Sequence, residues 1–393
     1  MINVNVYGLG YIGLPTALFL ANSGANVMGF DPSERVCSAL KEGRCPQSEV
    51  GLDEMLAEAV TERNFAVGDV IRSAEFHIIC VPTPLSLSAG GEHEADLSAV
   101  FDVVKALIDV IRPGDVVILE STSPVGTTDV ICEMLSEGGE IEKPSVAYCP
   151  ERVLPGNLVF EMINNARIVG GSSLEVCENV AALYARFCEA DIVKTSSKVA
   201  EMSKLVENAY RDVNIAFANS IDLMASEFDV DATEVIRLAN LHPRVQILKP
   251  GIGVGGHCIP VDPWFLISKS RDADLLRAAR SVNNRKTELV ASQALQRIQK
   301  FEADNTRLPV VGLLGLSYKA NVGDLRESPA LRIAEEILST GVNMLVHEPF
   351  ATARNFDQRE SSDEVILESD LVFILQAHEL SLIHISEPTR PPE

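Results

Sequence analysis

Apolar and polar positions change period along this chain. Residues 2–7 (INVNVY) alternate as a short strand does, GLGYIG follows, and PTALFLANSG then carries apolar residues at helical spacing and stops at Gly24, a residue suited to a helix C-terminus. A second run, NVMGFD, ends on Asp31, so the chain opens with a strand-helix-strand unit of the doubly wound type. Further strands are legible at EFHIICVP, DVVILEST and SVAYCP, separated by helical stretches such as LSAVFDVVKALIDVI. From Ser197 to about Leu241 strand character disappears. There AEMSKLVENAYRDVNIAFANSIDLMASEF repeats apolar residues at helical spacing without Gly or Pro, which predicts a long central helix. Helical segments continue through LLRAARSVNNRKTELVASQALQRIQ, after which LPVVGLLGLSY, SPALRIAEEILSTG, VNMLVHEP and SDLVFIL restart a β-α-β-β rhythm.

The architecture this predicts is α/β: two Rossmann-like doubly wound domains, residues 1–190 and 305–380, joined by a central helical domain, 191–304, with one long helix. The closing SLIHISEPTRPPE breaks the pattern with prolines and polar residues. We read residues from about 381 as a non-native tail and the C-terminal domain as truncated, with a genuine disordered tail as the alternative.

Composition narrows the classes of function. A chain of 393 residues exceeds one ordinary core. The apolar runs are too short to span a bilayer and no basic leader precedes the first strand, so a cytoplasmic protein without a membrane partner is expected. A formal charge of −23 argues against nucleic acid as a partner, and any anionic ligand must be met by locally placed Arg and Lys. The eight cysteines include no CxxC pair, and no further ligands stand at metal-site spacing around His257 and Cys258, so no metal is expected.

Three constellations carry candidate chemistry. Gly8-Leu9-Gly10-Tyr11-Ile12-Gly13 is a G-x-G-x-x-G between strand and helix, with Asp31 ending the second strand. That context, rather than the glycines alone, predicts NAD: the helix N-terminus meets the pyrophosphate, and the acidic residue takes the ribose hydroxyls and repels the 2'-phosphate of NADP. Second, four glycines from Gly251 to Gly256 precede His257, Cys258 and Asp262. Cys258 is placed like a nucleophile with Asp262 able to orient water, although a buried cysteine beside a flexible turn fits the spacing equally well. Third, Lys204 and Asn208 share one helix face at i, i+4, suited to an oxyanion, although a solvated helix surface explains the pair too.

Read together, GLGYIGLPTA, VPTP, ESTSPVGTT, YCPERVLPGN, AEMSKLVENAYRDVNIAFAN, HPRV, PGIGVGGHCIPVDPWF and DLRESPA resemble the UDP-glucose/GDP-mannose dehydrogenase family over about residues 1–380. Within that family they are most similar to the branch acting on UDP-N-acetyl-D-mannosamine. The resemblance implies four-electron, NAD-dependent oxidation of a UDP-sugar C6 hydroxyl to a carboxylate in surface polysaccharide synthesis. UDP-glucose or UDP-N-acetylglucosamine is the alternative substrate, and a catalytically inactive nucleotide-binding fragment the alternative from another class.

Residue by residue, the resemblance makes Cys258 the nucleophile that traps the aldehyde as a thiohemiacetal and then a thioester. Lys204 and Asn208 stabilise the oxyanions, Asp262 and Thr122 position the hydrolytic water, and Glu151 lines the pocket. Tyr11, Ile12, Asp31, Arg35, Thr83, Thr122 and Arg326 are implied around NAD. Around the UDP-sugar it implies Glu151, Arg152, Val153, Lys204, Asn208, Arg211, His242, Arg244, Gly251, Tyr318 and Lys319, with Arg244 crossing the interface of a homodimer. Pro155 departs from the second glutamate that UDP-glucose-specific relatives often carry there, so no water-positioning role transfers to it.

Overall fold

The computed structural model describes residues 2–379 apart from 48, 89, 140, 154 and 155. The tail from 381 and Pro155 therefore lie outside the described residues. The chain divides into two compact units, Met1–Glu207 with Trp264–Ser270, and Asn208–Pro263 with Arg271–Glu393.

In the first unit, β1 (Asn3–Tyr7), α1 (Gly13–Asn22), β2 (Asn26–Phe30), α2 (Glu34–Lys41), α3 (Leu52–Thr61) and β3 (Phe65–Val67) build one half of a sheet. The chain then supplies β4 (Phe76–Ile79), a separate hairpin of β5 (Leu85–Leu87) and β6 (His93–Ala95), α4 (Ser98–Ile108), β7 (Val116–Leu119) and α5 (Thr127–Gly138). β8 (Ser145–Tyr148), α6 (Leu158–Asn164), β9 (Arg167–Gly171), α7 (Leu174–Tyr184) and β10 (Ile192–Ser196) complete it. The strand order is β10-β9-β8-β7-β4-β1-β2-β3, parallel except where β9 meets β8. Chain order reverses between β1 and β4, and a crevice at such a switch point is where a doubly wound sheet takes its ligand.

Sequence explains the central strands well. In β7 all four residues of VVIL are buried, because helices cover both faces. α1 is buried at every residue but its last, and it stops where Gly24 adopts φ +84° with its N–H donated to the Ala21 carbonyl at 2.9 Å. The outer strands β9 (RIVGG) and β10 (IVKTS) escaped the sequence pattern, because their mixed burial removes the continuous apolar signal.

α8 (Ser197–Glu227) is the long central helix. It ends at Glu227, where the apolar-periodic stretch also stops: Asp229 turns into the left-handed region at φ 55° and Asp231 caps a new helix, α9 (Ala232–Ala239), by accepting the Thr233 N–H at 2.9 Å. After α10 (Asp262–Ile267), the helical run LLRAARSVNNRKTELVASQALQRIQ lies within a single 32-residue helix, α11 (Asp274–Asn305).

The second unit closes with β11 (Val310–Leu314), α12 (Pro329–Leu338), β12 (Asn343–His347), β13 (Asp357–Gln358), α13 (Ser362–Glu368) and β14 (Leu371–Ile374). Its parallel sheet runs β13-β12-β11-β14. Ala291, Ala294 and Ile298 of α11 join Ile333 and Ile337 of α12 over Val311 and Leu313, whereas Val365 of α13 meets Leu314 and Leu345 in a second cluster. Two doubly wound sheets with helical segments between them in sequence therefore make up the α/β fold. No described helix is long and apolar enough to cross a membrane.

Candidate active site

In the first unit the loop after β1 has the form of a dinucleotide cradle. Gly8 sits at φ +89°, and a side chain on Gly13 would collide with the Gly8 carbonyl and come within 2.8 Å of Cys80 Cβ, so turn and helix can close only with glycine there. A Cβ on Gly10, by contrast, would meet nothing within 4 Å, which leaves the backbone open to a ligand. The first turn of α1 contributes amides without intrahelical acceptors, the anion-binding end of the helix dipole. Asp31 accepts the Leu9 N–H and the Ser33 N–H, each at 2.8 Å, so its carboxylate is locked beside this loop. Tyr11 reaches Glu49 at 2.6 Å, and Thr83 donates its hydroxyl to the Thr122 carbonyl at 2.6 Å, joining the loops that follow β4 and β7. Arg35 lies exposed on α2. These residues fit NAD: an open glycine backbone, a helix N-terminus and an acidic side chain at the end of β2.

Behind the loops lies a buried ionic cluster that sequence reading missed. Arg167, 4 % exposed, pairs with Glu151 at 2.8 Å and lies 4.0 Å from Glu120. Glu120 also accepts from Tyr184 at 2.5 Å, Cys80 at 3.0 Å and Thr16 at 3.1 Å. Burial pushes the Glu120 carboxyl up, with Arg167 opposing. Burial works against the charge on Arg167, but Glu151, Cys149 and Glu120 hold its pKa above the usual guanidinium value. The predicted site residue Glu151 is thereby anchored, and its other oxygen accepts the Arg152 N–H at 2.6 Å. The Arg152 side chain is engaged by Glu207 at 2.7 Å and the Ala166 carbonyl at 3.0 Å, and Val153 is half-buried beside them in sequence. On α8, Glu201 is fully buried and accepts the Gly126 and Thr128 amides, which caps α5. One turn further along, Lys204 is 8 % exposed and its ammonium has no hydrogen-bond or ion-pair partner among the described residues.

In the second unit the loop that carries Cys258 is built from its backbone outward. The Asp262 N–H donates to the Cys258 carbonyl at 2.8 Å, opening α10 four residues after the cysteine. Asn208 of α8 donates to the Asp262 carboxylate at 2.5 Å, both side chains being buried. Gly256, at φ +89°, lies so close to Tyr318 that a Cβ would stand 2.9 Å from its ring, and its N–H donates to the Arg326 carbonyl at 3.0 Å. Asp324 holds Arg326 through contacts of 2.7 and 2.9 Å and lies 3.7 Å from His257. Hydrogen bonds to Asp324 and Cys258 raise the His257 pKa to about 9. Burial would raise the Asp324 carboxyl, but His257 and Arg326 hold it well below the usual carboxylate range. Cys258, half-exposed and unpaired with another cysteine, thus sits between a cationic cluster and the Asn208–Asp262 pair.

Sequence had placed Asn208, Asp262, Tyr318, Arg326 and Cys258 at the site, and the fold gathers them in this unit; Asp324 had gone unnoticed because an isolated loop aspartate carries no signal. Gly251 is anchored through its N–H to Asn219 at 2.9 Å, and Asn219 continues through Asn283 to the buried pair Asp212–Arg280. Asn219 and Asn283 look in sequence like ordinary polar helix positions. Arg211, His242, Arg244 and Lys319 are exposed, with a guanidinium nitrogen of Arg244 3.5 Å from His242 Nε2. Arg244 also borders an open groove of about 340 Å³ lined by Tyr210, Phe217 and Ile247 among others. Among the described residues, no cluster of His, Cys, Asp and Glu is arranged to hold a metal ion.

Comparison with known proteins places this geometry among relatives. Residues 2–188 match the NAD binding domain of the UDP-glucose/GDP-mannose dehydrogenase family, residues 198–285 its central domain and residues 312–381 its UDP binding domain. Over 375 residues the chain is 39% identical to a UDP-N-acetyl-D-mannosamine dehydrogenase of Methanococcus maripaludis, covering 95% of this chain and 86% of that one. An NDP-N-acetyl-D-galactosaminuronic acid dehydrogenase of Ralstonia nicotianae is 38% identical over 392 residues, 96% of this chain and 90% of that one. The solved UDP-D-ManNAc dehydrogenase of Pyrococcus horikoshii superposes with a TM-score of 0.87 at 36% identity, covering 96% of this chain and 90% of the other.

Proposed function

This chain belongs to the UDP-glucose/GDP-mannose dehydrogenase family, and we propose that within it the protein oxidises UDP-N-acetyl-D-mannosamine to UDP-N-acetyl-D-mannosaminuronate. It is an NAD-dependent UDP-sugar dehydrogenase. The observation that carries the mechanism is the Cys258 loop: a half-exposed thiol four residues before Asp262, which opens α10 and is held at 2.5 Å by Asn208.

Each bound NAD accepts one hydride, so alcohol to acid requires two in succession. The C6 alcohol first loses a hydride and a proton to give the aldehyde. Cys258 Sγ then bonds to C6 as its proton departs, and the resulting oxyanion is stabilised by Lys204 and Asn208 before it loses the second hydride as a thioester. Water, oriented by Asp262 and Thr122, adds to the thioester; the C–S bond breaks, the carboxylate forms and the thiol is restored. Lys204 suits its part because it is buried and, among the described residues, no carboxylate pairs with it. Arg211, His242, Arg244, Gly251, Tyr318 and Lys319 would receive the nucleotide sugar. We further propose a cytoplasmic homodimer, supported by the exposed Tyr210, Phe217, Met224 and Phe228, the first three spaced by heptads on α8.

The test is the yield of NADH per sugar. UDP-N-acetylmannosamine should give two NADH, with lower turnover on UDP-glucose and UDP-N-acetylglucosamine, and Cys258→Ser should lose at least about a hundredfold in acid formation. Preferred turnover of another sugar overturns the substrate, and wild-type rates in Cys258→Ser overturn the covalent route. An N-acetylgalactosaminyl nucleotide belongs in the comparison, given the Ralstonia relative.

A further inference from the structure

The second unit also contains a buried polar cluster for which the chemistry above has no use. Glu348, His378 and Ser317 are at most 2 % exposed and follow the C-terminal ends of β12, β14 and β11. In a parallel doubly wound sheet that edge receives the ligand. Glu348 Oε2 accepts the Leu316 and Ser317 amides at 2.8 and 2.9 Å, and its Oε1 accepts the Phe350 amide at 3.0 Å. His378 Nδ1 accepts the Asn321 N–H at 2.9 Å, which leaves the proton of the neutral ring on Nε2, 3.2 Å from both Glu348 Oε2 and Ser317 Oγ. Ser317 Oγ in turn donates to the Lys319 carbonyl at 3.0 Å. Asn321 occupies the left-handed region at φ 61°, and its side chain accepts the Glu379 N–H at 3.1 Å.

The segment 316–321 is therefore held from within at three amides and one carbonyl. Of its side chains, Tyr318 is left half-buried and Lys319 exposed, and Tyr318 is the ring against which Gly256 of the Cys258 loop closes. A buried carboxylate–histidine pair is a weak source of stability, since an apolar pair of similar volume can fold as well. What it does supply is a single loop conformation, at a strained residue that the loop would not hold alone.

We propose that Glu348 and His378 are positioning residues that pre-form the 316–321 loop for the uridine diphosphate half of the substrate, an inference that rests on the nucleotide-sugar reading of this unit. A loop set in advance binds without an ordering cost, so loosening it weakens nucleotide binding rather than the chemical step.

The experiment is titration of UDP alone into the 393-residue chain, with NAD affinity as an internal control because its cradle belongs to the other unit. His378→Ala should weaken UDP by ~10-fold and raise KM for the UDP-sugar by a similar factor, with kcat and NAD affinity changing less than ~2-fold. His378→Asn, whose Oδ1 can accept the Asn321 N–H, should recover most of the loss. Ser317→Ala, a small change that frees the Lys319 carbonyl, should cost ~5-fold and carries the test if His378→Ala does not fold. The proposal is overturned if folded variants bind UDP within ~2-fold of wild type, if NAD and UDP weaken equally, or if His378→Asn is no better than His378→Ala. Wild-type protein that binds no UDP would overturn the nucleotide-sugar reading together with the proposal, whereas wild type and variants that bind equally overturn the proposal alone.

Discussion

Asn208 shows how much a single side chain settles. Its amide donates to Asp262 at 2.5 Å in a buried setting, so the carboxylate is oriented before any substrate arrives. Asn208→Asp keeps the shape but replaces the donor with a second acceptor. The expected outcome is a fall in kcat of about a hundredfold or more, with little change in NAD affinity, since an oriented donor in such a site is commonly worth that much. Steady-state kinetics on the folded variant check this, and kcat within a few-fold of wild type would remove Asn208 from the reacting centre. His257 is the neighbouring case. Its imidazole is held charged up to about pH 9 by Asp324 and Cys258, so a cation stands beside the Cys258 thiol across the neutral range.

At the scale of elements, the helices are positioned by buried polar anchors as much as by apolar faces. α5 begins at Gly126, which offers no side-chain cap, and the missing acceptor is supplied by Glu201 from α8. That carboxylate takes the Gly126 amide at 2.6 Å, the Thr128 amide at 2.8 Å and the Thr128 hydroxyl at 2.7 Å. Glu201→Gln turns one of these acceptor oxygens into a donor facing N–H groups. Unfolding of the first unit in urea should show a loss of about 1.5–3 kcal/mol, the range for hydrogen bonds to a charged partner. An unchanged midpoint would mean that water or a shifted helix end satisfies those amides. Such an anchor is invisible in the local sequence, where Glu201 reads as one more polar residue of an amphipathic helix.

For the whole molecule, one contribution to acid sensitivity is expected from a buried histidine of the first sheet. His77 is fully buried in β4, its Nδ1 2.9 Å from the Tyr7 hydroxyl, and burial lowers its pKa from 6.5 to about 4. The unfolded chain therefore takes up a proton between those values that the folded chain refuses. Stability from this residue is complete above pH 6.5 and is lost as the pH falls toward and through 4. The loss amounts to about 3 kcal/mol. Urea titrations of wild type and His77→Gln across that window should diverge, with wild type losing more stability on acidification; parallel curves would assign acid sensitivity to the carboxylates instead.

The amino-acid sequence by itself determined the α/β class, the Gly8–Gly13 turn, the acidic end of β2, the long α8 and the cysteine loop. All of these are local: a turn, a helical period or a glycine run is specified by residues adjacent in the chain, and an apolar period survives wherever one face is uniformly buried. The end of α8 is of this kind, because the apolar-periodic stretch stops at Phe228, next to the left-handed Asp229. Tertiary structure alone decided that Glu151 is clamped by Arg167, that Glu201 caps a helix dozens of residues away, and that Asn208 meets Asp262. It alone brought Glu348 and His378 beneath Ser317. Each of these is a polar contact between residues far apart in sequence, where a buried charge must find its partner in space, and the spacing of residues along a chain holds no record of that pairing.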